Sequence, residues 1–191
     1  MPIGYSFQQL LGRKVLIVGD AGTGKTALTA SLLEEAVSMQ HSHEITVVDM
    51  APPSMVVQGI RIGGTMEKAT SIIKEVRYLR PREVKAPRVM GKSPQEVLKL
   101  ADSNRQEIDR ALDVFLANQT PTLFINDISL YLQRGDLKKL GYIIGVTKTF
   151  IANGYFGDKL AEDLGTGISR NERERMQELM KLMDVVITLT K

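Results

Sequence analysis

Eight consecutive residues carry the most specific chemistry in this sequence: Gly19, Asp20, Ala21, Gly22, Thr23, Gly24, Lys25 and Thr26. Their order and spacing suit a loop that wraps a polyphosphate. Glycines let the backbone curl so that successive N–H groups converge on phosphate oxygens, and the positive end of a following helix adds to their pull. Lys25 is then placed to reach the terminal phosphates, and Thr26 to ligate Mg²⁺. A plain strand-to-helix turn asks for no lysine and threonine at the start of its helix.

Three apolar runs elsewhere end in polar side chains. Ile45 to Val48 ends at Asp49, Leu123-Phe124-Ile125 runs into Asn126-Asp127, and Thr149 to Ala152 runs into Asn153-Gly154. Two carboxylates at strand ends beside a nucleotide can divide the labour, one holding a metal-bound water and the other orienting the attacking group. Asp127 is assigned to the metal and Asp49 to the nucleophile. Either also fits a strand end before a turn, and the two compete for the metal role. Asn153 either reads the terminal phosphate or makes a turn with Gly154, and the Asn-Gly dipeptide favours the turn. Arg88, Arg134 and Arg170 stand where a cation could reach developing charge, although an ordinary surface arginine is the simpler reading of each.

These residues need elements to hold them. The apolar run Val15 to Val18 reads as a buried strand entering the glycine loop, and Leu28, Leu32, Leu33, Ala36 and Val37 recur beyond it at helical spacing. Further strands are predicted at Ile45 to Asp49, Thr122 to Ile125, Thr149 to Ala152 and Asp184 to Leu189. A helix capped by Thr65 is predicted to run to Leu79, where Pro81 stops it, and another from Ser93-Pro94-Gln95-Glu96 to about Asn118. Ser169-Arg170-Asn171-Glu172 reads as a capping box, with Met176, Leu179, Met180 and Met183 turned inward. The alternation predicts an α/β fold whose C-terminal strand edge gathers the glycine loop, both acids and Asn153.

The loop resembles the Walker A element of the P-loop NTPase superfamily, and Leu123 to Asp127 is similar to its Walker B strand. The resemblance covers these two elements and the alternating architecture. It implies a three-layer P-loop NTPase fold, with a mainly parallel sheet of about five strands and helices on both faces. It also implies a single domain over 1–191 with a helical and basic elaboration at about 59–118. The implied ligands are a nucleoside triphosphate, ATP or GTP, and Mg²⁺ supported by Thr26 and Asp127. Ile128 follows Asp127, where RecA-like and AAA-type ATPases often carry a water-polarising glutamate, so the resemblance leaves the catalytic base unassigned. Thr190-Lys191 is the nearest approach to the guanine-reading [NT]-K-x-D motif, and ATP is therefore preferred.

Composition sets the outer bounds. With 191 residues, 43% hydrophobic and 25% charged, the chain reads as a folded single domain. It contains no cysteine, which excludes disulfides and thiolate chemistry. No leader-like run or apolar stretch of roughly 18 residues appears, so a cytoplasmic protein without a membrane partner is expected. Lys74 to Lys92 holds seven basic residues against two acids. That run is either a site for an anionic or protein partner at 74–92 or a solvated helix face, the reading that its single aromatic residue, Tyr78, favours. His41 and His43 lack a third ligand at metal spacing and read as a polar loop. The loop from Gly157 to Gly167 either closes over a ligand or simply connects. Hydrolysis coupled to a conformational change or partner leads the functional readings. Phosphoryl transfer to a small molecule, with an acceptor pocket from Gly59 to Arg88 and 157–167, and a weakly hydrolysing nucleotide switch stand behind it.

Overall fold

A computed structural model describes residues 4–57 and 59–190. A short helix α1 (Phe7–Leu10) precedes strand β1 (Lys14–Gly19), which enters the glycine loop and re-emerges as α2 (Lys25–Met39). After β2 (Ile45–Asp49) come a small hairpin of β3 (Met55–Val57) and β4 (Ile60–Ile62), then α3 (Met66–Ala69), β5 (Arg77–Leu79) and α4 (Pro87–Met90). The long α5 (Pro94–Ala117) leads to β6 (Thr122–Asn126), α6 (Ser129–Leu132), α7 (Leu137–Val146), β7 (Thr149–Tyr155), α8 (Ile168–Met180) and β8 (Val185–Leu189).

Six strands form one sheet in the order β5-β2-β6-β7-β1-β8, and every neighbouring pair is parallel. Alternate side chains of a central strand point into opposite layers, so its sequence is an unbroken apolar run. Leu16, Val18, Leu123 and Ile125 pack against Ile108, Phe115, Ile143 and Met176 of α5, α7 and α8. On the other face Val15, Ile17, Val47 and Phe124 pack against Phe7, Leu32 and Leu33 of α1 and α2. Both faces are therefore covered, as expected. Because β7 lies between β1 and β6, one whole strand separates the glycine loop from the polar end of β6.

The mainly parallel sheet expected at about five strands has six. Three local expectations are corrected. The helix expected from Thr65 to Leu79 breaks up. Thr70 accepts a bond from the Ile72 amide on its side chain at 3.3 Å, a 3₁₀ turn spans Ser71–Lys74, and Arg77–Leu79 pairs with the open edge of β2. The region 59–118 is accordingly mixed, contributing a strand to the main sheet as well as α5. Asn153-Gly154 makes no turn, because both residues continue β7. Ser169 is not an N-cap: α8 begins at Ile168 after Gly167, and the Ser169 amide donates to the Asp163 carboxylate at 3.0 Å. The Ser93 start holds, with the Glu96 amide donating to Ser93 Oγ at 3.2 Å and the Glu96 carboxylate accepting from the Lys92 amide at 2.8 Å.

The basic run is not laid along one helix, and several of its residues pair within the chain. Arg77 donates to the Val114 carbonyl at 2.8 Å and to the Asn118 carbonyl, while Arg80 pairs with Glu67 and Lys85 with Glu83. Among the described residues no helix is long and apolar enough to cross a membrane.

Candidate functional site

The glycine loop takes its shape from backbone angles that side chains resist. Gly22 has φ 74° and Gly24 φ 90°, in the left-handed region where glycine alone is unstrained. Gly24 is the N-cap of α2, so the unpaired N–H groups of a 15-residue helix open toward the loop. Thr23 Oγ1 donates to the Asp20 carbonyl at 2.9 Å, and Lys25 Nζ folds over the loop to the same oxygen at 2.7 Å. Burial lowers the pKa of the Lys25 ammonium, while Asp127 and Asp20 pull it back up. A cavity of about 460 Å³ opens above the loop, and its walls include Lys25, Thr26, Asp127, Asn153, Arg61 and Leu160.

The far wall is a row of strand ends. Thr26 Oγ1 donates to Asn126 Oδ1 at 3.4 Å, across from the last residue of β6. Asn126 Nδ2 donates to Asp49 Oδ1 at 2.8 Å and to the Gly64 carbonyl at 3.0 Å. Asn153 Nδ2 donates to Asn126 Oδ1 at 2.9 Å and to Thr29 Oγ1 at 2.8 Å, tying β7 to β6 and to the first turns of α2. Asn126 carries no role in the sequence reading. Its signal was its place as the last residue of an apolar run, in register with Asp49 on the neighbouring strand.

The two acids sit in different surroundings. Asp127 lies one residue beyond β6 with φ 58°; its N–H donates to Asn153 Oδ1 at 3.0 Å and its Oδ1 accepts from Ser129 Oγ at 2.5 Å. Burial raises its pKa, against the Ser129 hydrogen bond and the charges of Lys25 and Arg88, which favour the ionised form. Asp49 is wholly buried behind Asn126. Its oxygens accept from the Ala51 amide at 3.2 Å, the Met66 amide at 2.7 Å, Tyr78 Oη at 2.7 Å and Asn126 Nδ2. Tyr78 is held firmly protonated by burial and by Asp49.

The three arginines separate clearly. Arg134 pairs with Asp102 and Arg170 with Glu174, both at the surface. Arg88 is nearly buried: its Nη1 donates to Glu172 Oε1 at 3.0 Å and to Ser169 Oγ at 3.3 Å, and its guanidinium stacks 5.3 Å from the centre of the Tyr155 ring. Burial pushes the Glu172 carboxyl up to about 7, against the opposing effect of Arg88. A second cavity of about 320 Å³, walled by Arg88, Phe156, Ser169 and Arg173, adjoins the first across Tyr155 and Leu160.

No protein-family model matches the chain, and no curated protein matches it. Its structure is similar to that of the flagellar accessory protein FlaH from Methanocaldococcus jannaschii, with a TM-score of 0.53 and 11% identity over 93% of this chain and 71% of that one. It also matches the Pif1 helicase from Candida albicans, with a TM-score of 0.43 and 15% identity over 97% of this chain and 38% of that one. The FlaH likeness concerns the fold alone, a three-layer α/β architecture with a parallel sheet covered by helices on both faces.

Proposed function

We propose that this chain binds a Mg²⁺-loaded nucleoside triphosphate, ATP ahead of GTP, and hydrolyses it. The observation that carries the reading is the convergence of Lys25, Thr26, Asp127 and Asn153 on one cavity at the N-terminus of a long helix. Loop N–H groups and the helix dipole attract the phosphates. Lys25 offsets the charge that builds on the transferring oxygens.

The donor set suits Mg²⁺. Thr26 Oγ1 and Asn126 Oδ1 are hard oxygens, and among the described residues no three His, Cys, Asp or Glu side chains gather as a metal cage. That combination fits an ion that arrives with phosphates and keeps most of its water. When bound, the ion neutralises charge on the phosphate oxygens. The contacts favour a different division of labour from the one expected. Asn126 rather than Asp127 touches Thr26, which favours Asn126 as the residue that would support the metal beside Thr26. Asp127, facing Lys25 with a raised pKa, suits a general base. Asp49 is a positioning residue for Asn126 and the segment around Met66.

One observation favours phosphoryl transfer as a second reading. Segments 59–64 and 157–167 do meet at the cavity, through Arg61, Gly63 and Leu160, and the adjoining cavity offers room for an acceptor. Calorimetric titration with ATP, GTP and ADP, with and without Mg²⁺, tests binding, and release of phosphate by wild type and Lys25→Ala tests turnover. ATP binding that strengthens with Mg²⁺, and hydrolysis abolished by Lys25→Ala, are expected. No nucleotide binding, or equal hydrolysis by the variant, overturns the reading. Nucleotide consumption that needs a small-molecule acceptor and yields no free phosphate selects transfer.

A further inference from the structure

Beyond Asp127, away from the glycine loop, lies a small cavity of about 50 Å³ whose lining includes Arg88, Asp127, Ser129 and Gln133. It shares Ile62, Gly63, Asp127, Tyr155 and Leu160 with the main cavity, so Asp127 borders both. Gln133 is completely buried. Its Oε1 is the single buried side-chain polar atom among the described residues that finds no hydrogen-bond partner. A buried acceptor left unpaired costs about 1–3 kcal/mol, and its persistence calls for a specific partner.

The orientation of this amide is fixed from behind. Gln133 Nε2 donates to Glu172 Oε2 at 2.8 Å, and Glu172 Oε1 is in turn held by Arg88 at 3.0 Å. The donor end is committed, so the acceptor end is the one left over. Asp127 is similarly half engaged: Oδ1 is taken by Ser129, while no hydrogen bond to Oδ2 occurs among the described residues. The cavity is large enough for a water molecule, which needs roughly 10–15 Å³ of such space and two or more polar partners.

We propose that this cavity holds the attacking water of the hydrolysis proposed above, with one hydrogen directed to Gln133 Oε1 and the other to the Asp127 carboxylate. This geometry turns a lone pair of the water oxygen toward the main cavity, where the terminal phosphate would lie. The water oxygen forms a bond to the terminal phosphorus while the bond to the bridging oxygen breaks, and that electron pair leaves on the nucleoside diphosphate. One water proton is released to solvent, giving diphosphate, inorganic phosphate and a proton from triphosphate and water. Gln133 contacts the water directly, whereas Glu172 and Arg88 are positioning residues that act through Gln133.

The test is Gln133→Met, which keeps the volume and removes the acceptor, measured by steady-state ATP hydrolysis and by binding of a fluorescent ATP analogue. A fall in kcat of about 100-fold is expected, with KM and nucleotide Kd within about two-fold of wild type. Unchanged kcat, or a loss of nucleotide affinity that accounts for the whole effect, overturns the proposal. Should the variant fail to fold, a crystal structure of the wild type decides: density for a water within hydrogen-bond reach of both Gln133 Oε1 and Asp127 supports the assignment, and a dry cavity ends it. Wild type that turns over, with Lys25→Ala dead and Gln133→Met active, sinks this inference alone. Wild type that binds no nucleotide sinks the functional reading as well.

Discussion

Replacing Asp49 by asparagine separates a structural hub from a catalytic group. The substitution is isosteric and leaves no cavity, so its cost comes from hydrogen bonding. Oδ2 accepts from the Met66 amide and the Tyr78 hydroxyl, and Oδ1 from the Ala51 amide and Asn126 Nδ2. The least damaging placement puts the new NH₂ at the Oδ2 position, where the Tyr78 hydroxyl can rotate and accept from it. The Met66 N–H then faces another donor in a fully buried position, at about 1–3 kcal/mol. The remaining bonds lose their charged acceptor, which weakens them by roughly half. A total of about 2–5 kcal/mol is a large part of a normal domain stability of roughly 5–15 kcal/mol. Urea unfolding followed by circular dichroism measures it, alongside kcat for ATP. A variant within about 1 kcal/mol of wild type that has lost turnover would refute the hub assignment and return Asp49 to the chemistry.

Glu172 provides a pH signature. Its carboxyl holds its proton to about pH 7 against an ordinary value of 4.5, so the folded state binds that proton more tightly than the unfolded state. The stabilisation is complete below pH 4.5 and is lost as pH rises to about 7, some 3 kcal/mol in all. Glu172→Gln adds an offset from the unpaired Arg88 but removes this slope, and parallel urea-midpoint profiles for the two proteins between pH 5 and 8 would contradict the assignment. Asn126→Asp sets a second carboxylate against Asp49, across a contact of 2.8 Å in the wild type, and against the Gly64 carbonyl. A loss of about 3 kcal/mol or more is expected at pH 8, with partial recovery at pH 5 as the acid pair shares a proton; equal losses at both pH values would count against it.

The parts legible in the sequence are those set by local rules. Central strands announce themselves because both faces are buried, the glycine loop because its spacing has few other uses, and α5 because Ser93, Pro94 and Glu96 coincide. The reading of β5 failed because Ile72, Ile73, Val76 and Leu79 keep helical spacing, and only the open edge of β2 decides otherwise. Asn153-Gly154 reads as a turn, yet both residues pair with β1, and the glycine suits close packing there, because a Cβ would approach Met176 Cε to 2.7 Å and Ile128 Cγ2 to 3.1 Å. α7 had a legible signal, with Leu140, Ile143 and Ile144 behind the cap of Asp136 on the Lys138 amide at 2.8 Å, and the reading of the sequence passes over it. The Gln133–Glu172–Arg88 group has no local signature at all. Its members stand 39 and 84 residues apart and meet only when the segments of α4, α6 and α8 come together on one side of the sheet.

The amide at position 126 accounts for the position of the acid at 127. Asn126 must donate twice, to Asp49 and to the Gly64 carbonyl, while accepting from Thr26 and from Asn153. A carboxylate cannot donate, so the strand end beside Asp49 is closed to an acid. The next residue can face Lys25 only by leaving the strand, and Asp127 does so with φ 58°, a conformation that costs a non-glycine residue about 1 kcal/mol or more. The Asn153 and Ser129 hydrogen bonds offset that strain and fix the carboxylate at the junction of the two cavities. The same arrangement links the ends of β2, β6 and β7 into one row anchored on Thr26 and Thr29 of α2. Hydrogen bonds alone thus join the α2 N-terminus to Asp49, and through it to the Met66 amide, without crossing the apolar core.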